Sequence, residues 1–211
     1  EILAKFGSGP VQEIMRDHPR VSVSLEGTQR EQSETFGSLL PMFILALFII
    51  YALLAIPLRS YGQPLIIMSV IPFAFVGSVW GHIIMKILGL LDSMAIMSIM
   101  GIVAASGVVV NSSLVLVHAV NHRRADGMSV SDAVIEAAVS RCRPILLTSL
   151  TTFAGLTPLL LNQSVQAGVL IPMATSLAWG VMLATVVTLL VVPAGYLILE
   201  DAGTRHSAPI A

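Results

Sequence analysis

Long apolar runs separated by short polar breaks set the pattern of this chain. Residues 36–58 carry no charged side chain, and Pro57-Leu58-Arg59-Ser60 closes the run. A second run covers about 64–85, and Pro72 is expected to kink it. A third covers 93–120, after a short turn bracketed by Lys86 and Asp92 that contains Gly89. Residues 144–199 again lack any charge, but they are too many for one crossing. Asn162-Gln163-Ser164-Val165-Gln166 divides them into runs of about 145–161 and 172–198. A bilayer core takes about 20 apolar residues in a helix. The pattern therefore predicts five membrane-crossing helices.

The polar segments read differently. Residues 121–143 hold four arginines, Arg123, Arg124, Arg141 and Arg143. Within them Ser129 and Asp132 stand three apart, a capping box with Asp in place of Glu. Val130, Ala133, Val134, Ala137 and Ala138 follow at helical spacing and form one apolar stripe. An amphipathic helix over about 129–140, lying flat on the membrane surface, is expected. Residues 1–35 carry Lys5, Arg16, Arg20 and Arg30 against six acids. Gly7-Ser8-Gly9-Pro10 is a turn, Val11, Ile14 and Met15 share a helix face, and residues 21–25 alternate as a half-buried strand. This stretch is too short to bury a core of its own, and it reads as an α/β remnant of a larger water-exposed domain. Residues 200–211 return to water as a tail.

Composition agrees. The 211 residues are 55% hydrophobic and only 11% charged, against about 25% charged in soluble domains; the mean hydropathy is +0.89. A net charge of −1 gives no reason to expect nucleic acid. The single cysteine, Cys142, excludes an internal disulfide and a cysteine-cluster metal site. No metal site and no cofactor are expected. Lysine and arginine placement puts the loop with Arg59, the four-arginine connection and the tail on the cytoplasmic side. Residues 1–35 are then outside, which needs an upstream span and suggests part of a longer chain.

Polar groups inside the spans mark candidate chemistry. Ser106, Gly107, Asn111, Ser112 and Ser113 form a small polar knot in the third run. Ala104, Gly107, Asn111, Leu114 and His118 share one helix face, and Thr148, Thr152 and Gly155 share another, with Thr151 beside it. Lipid offers these groups no partners, so the two faces are expected to meet each other or a common cavity. The plainer reading is that the hydroxyls only tie helices together or bond their own backbone. Gly77 and Gly81 form a G-x-x-x-G, and Gly107 and Gly155 are the other small positions expected at helix contacts. His82 and His118 are the titratable side chains inside the runs, each near a span end within reach of water. No acid lies in any span, although proton relays use Asp or Glu. No G-x-S-x-G, H-E-x-x-H or phosphate-binding loop is present, so no enzyme is expected.

Three stretches carry a family resemblance. Residues 107–117, GVVVNSSLVLV, residues 55–65, AIPLRSYGQPL, and residues 141–150, RCRPILLTSL, stand in order. Together they resemble membrane helix ten, the connection from helix eight to nine, and the entry to helix eleven of resistance–nodulation–division (RND) efflux transporters of the acriflavine-resistance branch. The resemblance implies the C-terminal membrane portion, helices eight to twelve, of a proton-driven exporter of drugs or other amphiphiles in the bacterial inner membrane. It implies that residues 1–35 end a periplasmic porter region. The partners it implies are the rest of the same chain, two further copies in a homotrimer, a periplasmic adaptor and an outer-membrane channel. It places Thr148 and Arg141 at positions implicated in proton coupling and Asn111 where the multidrug pumps carry lysine; His118 joins them as a candidate. The family's acidic pair lies on a helix this chain does not contain. The competing reading is a non-transporting assembly module that pairs with a partner half.

Overall fold

The computed structural model describes residues 28–91, 96–162 and 164–206. The expected turn, helix face and strand within residues 1–27 lie outside the described residues. Two units divide the chain, residues 1–44 and residues 45–211. The described part of the first is helical backbone over 28–44, the opening of α1 (Thr28–Leu58). That helix begins eight residues before the expected span, because Gln, Arg and Glu in TQREQSET are good helix formers.

The second unit is all α-helical among its described residues. After the end of α1 come α2 (Gly62–Met68), α3 (Ile71–Ile87), α4 (Ile96–Ala125), α5 (Val130–Leu160), the one-turn α6 (Val165–Gly168) and α7 (Ile171–His206). Four stretches are long and apolar enough to cross a membrane: Pro41–Leu58, Gly62–Ile87, Ile96–Ala125 and Ile171–Asp201. The protein is an all-α membrane protein. Large apolar side chains point outward along these helices, among them Phe48, Leu53, Ile56, Trp80 and Leu190, each more than half exposed. In lipid such exposure carries no hydrophobic penalty.

Pro72 does more than kink the second span. It occupies the first turn of α3, where its missing N–H has no helical partner to lose, and a Ser69–Val70 turn separates α2 from α3.

The expected surface helix and fourth span are one element. α5 runs unbroken for 31 residues through Pro144. Its start is as the sequence indicates: Ser129 Oγ accepts from Asp132 N at 3.2 Å and donates to the Asp132 carboxylate at 2.6 Å. Gly127, at φ +89°, makes the turn just before it. The stripe Ala133, Val134 and Ala137 is not laid against lipid. It is buried in the same core cluster as Leu116, Val117 and Val120. The polar side of this half is tied to α4 as well, since Arg123 bonds Ser140 Oγ at 2.8 Å and lies 3.4 Å from the Glu136 carboxylate.

The hub of the bundle is α7, which packs against α2, α3, α4 and α5. Its small residues make this possible. A Cβ on Gly180 would lie 2.7 Å from Ser78 Oγ and 3.0 Å from the Ala74 carbonyl oxygen. Gly77 and Gly81 face α7 from the other side: a Cβ on Gly77 would come 2.7 Å from the Trp179 carbonyl oxygen, and one on Gly81 would overlap the Trp179 side chain. The Trp179 ring then meets Phe153 of α5 edge-on, with centroids 5.3 Å apart.

Candidate functional site

The polar knot of α4 divides between two faces of its helix. Ser106 and Ser113 are buried and donate to their own i−4 carbonyls, Ile102 at 2.8 Å and Val109 at 2.9 Å. Half-buried Ser112 does the same to Val108 at 3.1 Å. Gly107 and Asn111 point the other way and are exposed, together with Ala104 and His118. The serines are self-satisfied structural groups; the amide of Asn111 faces outward with no partner among the described residues.

The threonine face of α5 is equally open. Thr148 and Thr151 are exposed, and Arg141 and Gly155 lie exposed on the same helix. Thr148 donates to the Pro144 carbonyl at 2.9 Å, Thr152 to that of Thr148 at 2.9 Å, and Thr151 to that of Leu147 at 2.8 Å. These are the local bonds of the plainer reading. No hydrogen bond joins Asn111 to Thr148 among the described residues, so the two faces are not satisfied by each other. Gly107 and Gly155, expected at helix contacts, have nothing within 4 Å of a built Cβ. They lie on uncovered helix faces, whereas Gly77 and Gly81 are packed. The physical reason is that the same small-residue signal serves any neighbouring helix, and among the described residues α7 supplies one at Gly77 and Gly81 but none is supplied at Gly107 and Gly155.

Three polar junctions, two buried and one half-buried, escaped the sequence reading. His82, expected near water, is buried at 6% exposure. Its Nδ1–H donates to the Ser78 carbonyl oxygen at 2.8 Å, and its Nε2 shares a hydrogen bond with Ser98 Oγ at 2.9 Å. That bond fastens α3 to α4. Ser149 Oγ and Thr185 Oγ1, 2.5 Å apart, fasten α5 to α7. At the arginine-rich end, Gln63 and Asn121 exchange two amide bonds, 3.1 and 2.8 Å, while Tyr196 donates to Asn121 Oδ1 at 2.8 Å. Arg124 pairs with Glu200 beside them. The only signal for these was a polar side chain in or beside an apolar run, which nothing in the one-dimensional pattern pairs with a particular partner. Among the described residues no group of three or more His, Cys, Asp or Glu side chains is placed to hold a metal ion.

The geometry thus defines a helical membrane bundle packed around α7, with an exposed face on α4 that bears an amide, an imidazole and a glycine and an exposed face on α5 that bears hydroxyls and a glycine. Residues 11–200 match the family described as "AcrB/AcrD/AcrF family", and the chain belongs to that family of RND transporters. Among curated proteins it is 30% identical over 189 residues to the swarming motility protein SwrC of Bacillus subtilis (strain 168), covering 87% of this chain and 17% of that protein. Among solved structures it resembles a heavy metal efflux pump in two crystal forms. The likeness is 25% identity with a TM-score of 0.72 for form II and 26% with 0.70 for form I, each covering 90% of this chain and 19% of the pump. The chain therefore spans less than a fifth of the length of these relatives.

Proposed function

We propose that this chain is the C-terminal membrane portion, corresponding to helices eight to twelve, of a proton-driven RND exporter of drugs or other amphiphilic compounds. The observation that carries the reading is the uncovered face of α4. Asn111 stands near the middle of an apolar helix, exposed, with Gly107 and His118 on the same stripe. A primary amide facing hydrocarbon forgoes hydrogen bonds it would make in water, at a cost of several kcal/mol. Glycines next to it admit another helix closely. This face suits helices from elsewhere in the transporter, and the relatives' greater length leaves room for them.

In this reading Asn111 and Thr148, with water between them, orient the carboxylates that titrate on the facing helices. Asn can donate and accept hydrogen bonds but cannot neutralise a carboxylate. Its role is positioning, unlike that of a lysine at the same place. Arg141 and His118 stand toward the arginine-rich end, where a relayed proton would leave the membrane. That end is cytoplasmic by the distribution of Lys and Arg. The membrane is the bacterial inner membrane, and the intact protein is a homotrimer that engages a periplasmic adaptor and an outer-membrane channel.

The test is proton-driven export by the intact protein in proteoliposomes, with an amphiphilic dye and a divalent heavy-metal cation assayed side by side. Asn111→Ala is expected to lower dye export at least tenfold while the protein still folds. Unchanged export removes Asn111 from the coupling path. Transport of the metal alone replaces the substrate class.

A further inference from the structure

A cavity of about 430 Å³ opens at the arginine-rich end of the bundle. Four basic side chains line it: Arg59 from the end of α1, His118, His122 and Arg124 from α4. No acid is among the lining residues. Among the described residues the one carboxylate bonded to this group is Glu200, which pairs with Arg124. Arg59, His118 and His122 have no ion pair with any described residue. The floor is pre-organised, because the Gln63–Asn121–Tyr196 bonds fix those three polar side chains in place. Arg59 itself sits at φ +47°, a left-handed backbone that is strained for a non-glycine residue. The other described positive-φ residues, Gly89 and Gly127, are both glycines.

The depth of the cavity narrows its ligand. The span Pro41–Leu58 ends beside it, Gly62–Ile87 begins beside it, Ile96–Ala125 ends beside it, and Tyr196 is within one and a half turns of the end of Ile171–Asp201. All four apolar spans therefore terminate at this level, which is the level of lipid headgroups. Leu53 and Ile56, about two turns and one turn inward on α1, are exposed at 62% and 75% and offer acyl chains an apolar track. Guanidinium and imidazole donors around a carboxylate-free cavity match a phosphate oxygen cluster. Basic pockets between helices at this depth hold anionic headgroups.

We infer that this cavity binds a phosphate group, supplied at this depth by the headgroup of an anionic phospholipid, held by Arg59, His122 and Arg124 over the Gln63–Asn121–Tyr196 floor. The site does not depend on the proposed export activity. Native mass spectrometry of the intact protein carrying this chain tests it, with phosphatidylglycerol, phosphatidylcholine and inorganic phosphate titrated separately. Wild-type protein should retain phosphatidylglycerol at least tenfold better than the Arg59→Gln, His122→Gln double variant. Arg59→Lys should keep most of the retention, and Arg143→Gln, outside the cavity, should change nothing. Protection of wild type but not the double variant by millimolar inorganic phosphate, without lipid retention, would assign the same site to the free anion. Equal retention of phosphatidylglycerol by wild type and the folded double variant, or equal retention of phosphatidylcholine and phosphatidylglycerol by wild type, overturns the inference. A melting curve for each variant separates loss of binding from loss of fold.

Discussion

Adding one methyl group at four glycines should have opposite consequences at the two kinds of site. Gly77 and Gly81 of α3 abut α7, where a Cβ at Gly77 would sit 2.7 Å from the Trp179 carbonyl oxygen and 2.9 Å from Leu183 Cβ. At Gly81 the obstacle is the Cβ and ring of Trp179. Neither a backbone carbonyl nor a Cβ can turn aside, so the helices must separate. Overpacking of this kind costs about 1–3 kcal/mol. Gly107 and Gly155 meet nothing within 4 Å, so alanine there brings only the gain in helix propensity, about 1 kcal/mol. That gain is common to all four substitutions and cancels when the pairs are compared. The difference between Gly77→Ala and Gly155→Ala is then the overpacking cost alone. For a chain of 211 residues, about 2–4 °C per kcal/mol converts this to a gap of roughly 2–12 °C in Tm. Thermal unfolding of this chain in mild detergent, followed by tryptophan fluorescence and circular dichroism, reads the gap directly. Gly77→Ala and Gly81→Ala should melt below Gly107→Ala and Gly155→Ala. Four equal shifts would refute the assignment of the G-x-x-x-G to the α3–α7 contact.

Other contacts give separate tests. A double-mutant cycle on Ser149→Ala and Thr185→Val should return a coupling of about 0.6 kcal/mol, and no more than about 1.7, the range seen for hydroxyl pairs between membrane helices; a coupling of zero would remove the α5–α7 bond. Asn121→Ala strips partners from both Gln63 and Tyr196, the latter only 3% exposed, and should cost about 1–3 kcal/mol. Tyr196→Phe removes only one of those bonds and should cost less, so the reverse order in chemical denaturation counts against the network. Ser129→Ala removes the N-cap of α5 and should cost about 0.5–2 kcal/mol, with the loss of protection in amide exchange confined to its first turns.

The family likeness and the membrane class were legible from residue type alone. Uncharged runs of more than 20 residues admit few solutions other than helices in lipid, and the stretches 55–65, 107–117 and 141–150, in that order, carry the likeness to RND transporters without a structure. The start of α5 was legible too, since Ser129 and Asp132 are a purely local signal. What the one-dimensional pattern could not decide was which face of each helix would be covered. Gly77, Gly81, Gly107 and Gly155 look alike in sequence, yet two are pressed against α7 and two open outward, because only a neighbouring backbone separates a packed glycine from a bare one. The same holds for the polar groups. Ser106 and Ser113 turn inward and bond their own helix while Asn111, between them, turns outward, since 100° per residue parts near neighbours. His82 meets Ser98, and Asn121 meets Gln63 across 58 positions, through the way helices cross and not through any spacing along the chain. Solvent preference is written in each side chain; the identity of its neighbour is fixed only when the helices pack.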